Sequence, residues 1–347
     1  MNEPLRPLTL GEILDRTTQL YRTRFLVFLG ISILPTGVVL ALAFVVGLVV
    51  AWWSWAGASS VSEAAGYVLV AVFSLAVTLV ALPIYLAAAA LSTAALNHAV
   101  ARTNLGEKTT IRDAYKTIWK RGWRYIGLSL LWALFIGVAP MIAWIVLLLL
   151  GGVLAALGQK AGMGDSASVL LGLTAVLLIV ALLGYVIWML LRLALAFPAC
   201  VVEQIGAWPA LKRSSVLTKG TKGRIFLLYL LVAILSWLLM MAITLPSTIF
   251  LALLPGMSNP QHAQAMGMVF LIIVYGASFA VQTLVKPIYG IALVLFYYDQ
   301  RIRLEGFDIE WMMQQAGMAP APSPAPEAAP WLSAAPNMAQ SAGEGHA

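Results

Sequence analysis

Six long apolar stretches constrain the fold of this chain more than any other feature. Each is longer than the roughly 20 residues that cross a hydrocarbon core about 30 Å thick. Their apolar residues run continuously, whereas the strands of a membrane barrel alternate apolar and polar positions. We therefore predict an all-α, polytopic membrane protein with transmembrane helices at residues 25–55, 65–100, 125–157, 167–199, 225–254 and 266–298.

The composition also indicates that a bilayer is the solvent of this chain. Of its 347 residues, 61% are hydrophobic and only 10% are charged, whereas an ordinary soluble domain has roughly 25% charged residues. The single cysteine, Cys200, excludes an internal disulfide bond. The net charge of +7 would suggest nucleic-acid binding in a soluble protein. Here the positions of the charges explain it better, and we expect no nucleic-acid partner.

Lysine and arginine residues set the expected orientation, because cytoplasmic loops of membrane proteins are enriched in them. Four lie within residues 6–24, seven within 102–124, five within 212–224 and two within 301–303. These 18 basic residues are predicted to share one side of the membrane, and Lys160 alone lies on the other side. Arg192 and Lys286 lie inside spans. We therefore expect a multi-pass protein of the bacterial cytoplasmic (inner) membrane, with both termini in the cytoplasm.

Tryptophan and tyrosine residues are expected to mark the two membrane interfaces. The outer aromatic belt is predicted to include Trp52, Trp53 and Trp55, and the inner belt Trp119, Trp123 and Tyr125.

The basic segments share a plan that predicts a repeated architecture. Thr9 to Glu12 and Thr110 to Asp113 each read as a helix N-terminus with a capping residue, and 206–215 is a weaker third example. Each precedes two spans. The sequence Leu-Pro-Ile-Tyr at 82–85 is echoed by Lys-Pro-Ile-Tyr at 286–289. We predict three repeated helix-pair units, each with a cytoplasmic, interfacial amphipathic helix.

Three regions follow from this plan. Residues 1–24 form an N-terminal interfacial helix, residues 25–314 the transmembrane domain, and residues 315–347 an Ala/Pro-rich tail that we expect to be disordered.

Three groups of residues resemble those of a known family. They are LRPLTLGEILDR at 5–16, Val-Glu at 202–203 with Gly206, Trp208 and Arg-Ser at 213–214, and YYDQR at 297–301 followed by EGFD at 305–308. This pattern resembles the glycerophosphoryl diester phosphodiesterase membrane-domain family. Some relatives are fused to a catalytic barrel with metal-binding carboxylates and histidines. This chain has three histidines, so the resemblance implies a stand-alone membrane domain, and no catalytic residue is carried over.

One enzyme motif matches literally and is not favoured. Gly162 to Asp165 fits the GxGD pattern of intramembrane aspartyl proteases, and Tyr298-Asp299 fits the partner motif. That chemistry needs two carboxylates that share a proton at close range. We expect Asp165 and Asp299 to lie on opposite sides of the bilayer. The sequence therefore predicts no enzyme, and no catalytic, cofactor-binding or metal-binding residue.

Lys286 is the most unusual residue because it lies well inside the sixth span. A cation there costs several kcal/mol unless it is paired, solvated or snorkelling. It belongs to a polar stripe on one helical face, formed by Tyr275, Ser278, Gln282, Lys286 and Tyr289. The stripe fits a cavity that holds an anionic lipid or solute. The simpler interpretation is a kinked helix with a snorkelling lysine.

Basic residues next to the membrane are candidates for lipid headgroup contacts. They are Lys219, Lys222 and Arg224 in a glycine-rich segment, and Lys120, Arg121 and Arg124 before span three. The simpler interpretation is a plain positive-inside anchor. Arg192 and Glu203, which flank Pro198, are expected to form an interfacial ion pair.

The leading functional hypothesis is a non-enzymatic membrane scaffold or regulatory subunit. Its cytoplasmic face would bind membrane lipids and a partner protein from the cytoplasm or the membrane. The alternative is a transporter or flippase-like protein for a lipid or small anion, which the Lys286 stripe and the internal repeats motivate. The oligomeric state does not follow from the sequence.

Overall fold

The fold is a bundle of helices. A computed structural model describes residues 6–55, 63–160, 164–253 and 260–306, together with residues 309, 312 and 313. This part of the chain forms helices joined by turns and contains no strand. The helices are α1 (Leu10–Thr23), α2 (Phe25–Trp55), α3 (Glu63–Asn104), α4 (Ile111–Trp119), α5 (Gly122–Ala133), α6 (Ala139–Lys160), α7 (Gly164–Leu193), α8 (Ala196–Val202), α9 (Ala207–Leu217), α10 (Lys222–Leu253) and α11 (Pro260–Glu305).

Six helical segments are long and apolar enough to cross a membrane, which confirms the predicted number. They are Phe25–Leu42, Ala71–Asn104, Gly122–Leu154, Gly172–Val202, Lys222–Phe250 and Ile272–Glu305. The third span is continuous through α5, a π-helical turn at Leu134–Val138, and α6. Such a turn inserts one extra residue into the helical ladder without ending it.

The helix of the fourth span is broken within the predicted range 167–199. The break lies between α7 and α8, at Ala194 and Leu195. Pro198 has no N–H to donate to the carbonyl four residues earlier, and its ring clashes with that carbonyl. Ser214 of α9 satisfies part of the opened backbone: its Oγ accepts from the Leu195 N–H at 3.2 Å and donates to the Arg192 carbonyl at 2.8 Å.

The short helices begin where the sequence predicts. At α1 the capping box is complete, with the Glu12 N–H donating to Thr9 Oγ1 and the Thr9 N–H donating to the Glu12 carboxylate. The Thr9 N–H and then Arg6 lower the pKa of Glu12 to about 2. The charged cap is therefore present above the ordinary carboxyl pKa and is lost as the pH falls through about 2. At α4, Thr110 accepts from the Asp113 N–H at 3.2 Å.

The core lies at one end of the bundle, where the Lys- and Arg-rich segments meet the spans; we call this the basic end. The largest fully buried side chains are Tyr297, Phe28, Phe296, Ile13, Ile31, Leu96, Leu128, Leu195, Leu217, Ile225, Leu228 and Ile291. Towards the other end, the described parts of α6 and α7 present large apolar side chains on their surfaces. This distribution suits a protein whose outer surface meets hydrocarbon.

Small residues let α3 pack closely at the centre of the basic end. Ala90, Ala94, Ala95 and Ala99 are buried, and Ser92 donates from Oγ to the Ile31 carbonyl of α2 at 2.9 Å. These small residues of α3 therefore pack within the chain, as is common for helices in a membrane.

Gly290 is the point of closest approach between α11 and α3. A Cβ at this position would lie 2.4 Å from Cδ2 and 3.2 Å from Cγ of Leu96, a fully buried core residue. The absence of a side chain therefore lets the two central helices touch.

We expect Gly290→Val to destabilise the protein by about 1–3 kcal/mol, because the added methyl groups overpack a closed core. Gly276→Val is the matched control, since Gly276 lies on the same helix and a Cβ there meets no atom within 4 Å. Thermal unfolding in detergent measures both. Equal midpoints for the two variants would contradict this account of the α3–α11 contact.

Two predictions lie outside the described residues. These are the disordered tail at 315–347 and the side chains of the outer belt, Trp52, Trp53 and Trp55. Both stay predictions.

Candidate functional site at the basic end

Asp299 of α11 is the centre of a charged network at the basic end. Its side chain has no exposed surface. Arg303 donates from Nε to both carboxylate oxygens at 3.0 Å, and Arg224 at the start of α10 donates at 3.2 Å. The Leu8 N–H donates to Oδ1 at 2.8 Å. A buried carboxylate of this kind is stable only when opposite charges and donors compensate its lost hydration.

The same network anchors the N-terminal segment. The Leu8 carbonyl accepts from Arg224 at 3.0 Å and from Arg303 at 2.8 Å. Farther along α1, the Tyr21 hydroxyl donates to the Leu284 carbonyl of α11 at 3.0 Å. The N-terminal segment, α10 and α11 are thus joined by one acid and two arginines.

A second network surrounds Glu203, which follows α8. Arg213 of α9 donates from Nε to the two Glu203 oxygens at 2.8 and 3.1 Å, and the Tyr297 hydroxyl donates to the same carboxylate at 2.7 Å. Arg213 also pairs with Glu305, which accepts from Arg301 at 3.1 Å. Burial alone would lower the pKa of Arg213, but the hydrogen bonds that it donates to Glu203 and Glu305 outweigh this effect and raise the pKa.

These contacts correct the ion pair predicted between Arg192 and Glu203. Glu203 pairs with Arg213, which reaches it from α9. Arg192 lies instead over the ring of Trp188, with 5.1 Å between its guanidinium carbon and the ring centroid. The interruption of the helix at Ala194 and Leu195 lies between the two residues, so that Arg192 belongs to α7 and Glu203 follows α8.

The three residue groups behind the family resemblance meet at this end. Leu8 from the opening group contacts Asp299 from the closing group, and Glu203 and Arg213 from the middle group contact Tyr297 and Glu305. Sequence positions almost 300 residues apart therefore form one structural unit.

The six predicted headgroup cations have different surroundings. Arg224 belongs to the Asp299 network and is largely used within the fold. Arg121 and Arg124 are exposed but also donate to the side chain and the carbonyl of Gln204, whose φ of 56° is unusual for a residue other than glycine. Lys120 and Lys219 are exposed. Lys222 lies with its Nζ 5.2 Å from the centroid of Trp188.

Two of the three residues predicted for the inner belt are exposed. Trp119 is 73% exposed and Trp123 is 86% exposed. Tyr125 is a correction, because it is buried in the core and does not face the interface. It lies three residues into α5, on the side that packs with Leu128 and Ser129 against the bundle. The residues Trp119, Lys120, Arg121, Trp123 and Arg124 form an exposed surface that we call the basic–aromatic ridge.

The polar stripe of α11 lies along the junction with α10. The Tyr289 hydroxyl bonds to the Tyr229 hydroxyl of α10, and Ser278 Oγ lies 3.9 Å from the sulfur of Met240. Tyr275 and Gln282 are exposed, and Lys286 is half-buried. Within the described ranges, no carboxylate lies within 4.0 Å of the Lys286 ammonium group.

The direction in which Lys286 projects follows from its neighbours on the helix. On one side, Ser278 and Tyr289 contact α10. On the other side, Thr283 bonds to Thr36 of α2 at 3.1 Å, and Gly290 meets Leu96 of α3. At 100° per residue, Lys286 lies between these two lines of contact. It therefore faces the space bounded by α10, α3 and α2.

The two aspartates of the protease-like motifs belong to different surroundings. Asp165 is in the first turn of α7, about 40 Å of helix before Leu193, while Asp299 is enclosed by two arginines at the basic end. The residues at 161–163 lie outside the described ranges. Over the described residues, no group of three or more His, Cys, Asp or Glu side chains could hold a metal ion.

Sequence reasoning missed the Asp299 network and the pairing of Arg192 and Lys222 on Trp188. The spacing of Asp299 and Arg303, four residues apart on one helix, could have indicated the Asp299 network. Nothing in the sequence brings Trp188 next to Lys222, since they are 34 positions apart and the helix of Trp188 ends between them. A comparison of the chain with family models, curated proteins and solved structures finds no match.

We expect Asp299→Asn to destabilise the protein by about 2–3 kcal/mol. Breaking a fully buried pair costs about 3–5 kcal/mol, and Arg224 and Arg303 are about a third exposed, so water compensates them in part. Glu107→Gln is the control, because the Arg102–Glu107 pair is exposed and worth about 0–1 kcal/mol. Thermal unfolding of both variants in detergent measures the difference. A similar loss of stability in the two variants would contradict the central role of Asp299 in holding the helices together.

Proposed function

We propose that this chain is a non-enzymatic scaffold or regulatory subunit of the bacterial inner membrane. Its basic end faces the cytoplasm, binds membrane lipids and holds a partner protein. We further propose that it is a stand-alone relative of the glycerophosphoryl diester phosphodiesterase membrane-domain family. The meeting of the three resembling residue groups at the basic end supports that relationship.

The basic–aromatic ridge is the observation that carries this proposal. Two indoles that remain 73% and 86% exposed flank basic residues at the turn between α4 and α5. Aromatic and arginine side chains are enriched where proteins bind partners, and the same residue types mark membrane interfaces. The ridge belongs to a rigid frame, because Arg121 and Arg124 both donate to Gln204 after α8.

The acids of the basic end support a structural role. Asp299, Glu203 and Glu305 each pair with arginine. Arg224 reaches Asp299 from α10, and Arg213 reaches both Glu203 and Glu305 from α9. The networks therefore serve to hold helices together.

The repeat and the interfacial helices are also part of the proposal. Each of the three basic segments places a short helix, α1, α4 or α9, before two spans. Each buries part of its surface, including Ile13 of α1, Ile118 of α4 and Leu211 of α9. We propose that their other faces lie at the cytoplasmic surface of the membrane.

Position-specific photocrosslinking in cells tests the scaffold role. We expect a photoreactive amino acid at position 119 or 123 to give a crosslink to one defined protein, because the ridge projects from the core. The matched control is position 237, since Trp237 is an exposed tryptophan within span five. Substituting Lys120→Glu should weaken the same crosslink several-fold. Protein crosslinks that are equal at 123 and 237 would contradict a partner at the ridge.

Lipid or small-anion transport is the second candidate, and Lys286 is the observation that favours it. A half-buried cation that faces the space between helices marks a pathway in many transporters. Its position beside the exposed Gln282 and Tyr275 gives the bundle a polar surface at membrane depth.

Scrambling of fluorescent phospholipids in proteoliposomes tests this candidate. If the stripe is a pathway, Lys286→Met should reduce the rate about tenfold or more, because it removes the cation at its centre. Lys219→Met changes the net charge equally at an exposed loop position and should leave the rate within twofold. Lipid transport is excluded if the scrambling rate with the wild-type protein does not exceed that of protein-free liposomes, or if the two variants have the same rate.

A further inference from the structure

The ring of Trp188, near the end of α7, attracts two cationic groups. The guanidinium carbon of Arg192 is 5.1 Å from the ring centroid, and the ammonium nitrogen of Lys222 is 5.2 Å from it. Both distances are within the range of cation–π attraction. The indole itself is 43% exposed. Two like charges from different helices thus lie at one accessible ring.

These two cations differ from four arginines of the basic end that each pair with a carboxylate, namely Arg213, Arg224, Arg301 and Arg303. For Arg192 and Lys222, the described part of the chain provides no carboxylate within 4.0 Å. Like charges repel each other, and a cation–π interaction at an exposed site contributes only about 0.5–1 kcal/mol. The arrangement leaves an excess of positive charge that an anion would neutralise.

The surroundings of the pair are fixed by the fold. The Arg192 carbonyl accepts from Ser214 Oγ at 2.8 Å and from Thr218 Oγ1 at 3.5 Å, so the end of α7 is tied to α9 and the following loop. That loop turns at Gly220, with a φ of 78°, and α10 begins at Lys222. The positive end of α10 therefore adds to the two side-chain charges.

We propose that Arg192, Lys222 and Trp188 bind the phosphate group of an anionic phospholipid at the junction of α7 and α10. This deepens the lipid-binding part of the proposed function and rests on it. The site lies at the basic end, where lipid headgroups of the cytoplasmic leaflet are expected. Exposed apolar side chains continue along both helices towards the other end, including Leu183 on α7 and Leu230 on α10. They offer a surface for acyl chains, which a soluble phosphate ion would not use.

The test compares lipids on the full chain purified in detergent. Native mass spectrometry measures binding of phosphatidylglycerol and of phosphatidylcholine with the same acyl chains. We expect Arg192→Gln and Lys222→Gln each to weaken phosphatidylglycerol binding about fivefold, the equivalent of about 1 kcal/mol per cation. Phosphatidylcholine binding should change less than twofold.

Lys219→Gln is the matched control, because it removes the same charge from an exposed position of the same loop. It should leave phosphatidylglycerol binding within twofold. Lys222→Arg should retain the binding, which separates loss of the site from loss of folding, and thermal unfolding of each variant checks the fold directly. An equal loss for Lys219→Gln and Lys222→Gln, or no preference for phosphatidylglycerol in the wild type, would overturn the proposal.

Competition distinguishes the two sources of phosphate. Inorganic phosphate at millimolar concentration should not displace phosphatidylglycerol, since it gains nothing from the apolar surface. Complete displacement would reassign the site to a soluble anion and refute the lipid. The crosslinking experiment at the ridge is independent: its failure with intact phosphatidylglycerol selectivity refutes the partner role alone, and the reverse result refutes this site alone.

Discussion

The burial of Asp299 is the constraint on which the basic end depends. A carboxylate with no exposed surface is tolerated only if its charge is met by other groups, and here those groups come from three separate parts of the chain. Leu8 donates from its backbone N–H, and Arg224 donates from the start of α10. Arg303, which lies one turn after Asp299 on α11, donates from its side chain. The apolar helices alone do not select one arrangement, because lipid solvates their surfaces as well as protein does. The charged network supplies that selection.

This constraint explains why packing is concentrated at one end. Near Asp299 and Glu203, hydrogen bonds between helices fix their positions, and small residues such as Ala94 and Gly290 then allow the backbones to approach. Farther from the basic end, in the described parts of α6, α7 and α10, large apolar side chains are exposed. The structure is thus a tightly joined platform at the basic end, with apolar helices extending from it.

The sequence predicted much of the fold for clear physical reasons. Long apolar helices have a strong composition signal, so their number was correct, and the Thr9 capping box depends only on residues three apart. The break at Ala194 was not predicted, because the apolar length of a span does not show where its helix is interrupted. The pairing of Glu203 was missed because Arg213 and Tyr297 approach it from other helices. Contacts of this kind depend on packing, which a single sequence does not specify.

The cations of this chain divide into two classes, and the division matters for function. Those that pair with Asp299, Glu203 and Glu305 hold helices together, and their charge is already neutralised. Those on the basic–aromatic ridge and beside Trp188 are positioned by the same framework but keep their charge available. A sequence count of lysine and arginine treats both classes alike as evidence of orientation. The structure separates them, because a positive group that stabilises a fold is identified by its carboxylate partner. The positive groups that we propose to bind a ligand are those that the fold holds in place without a carboxylate partner.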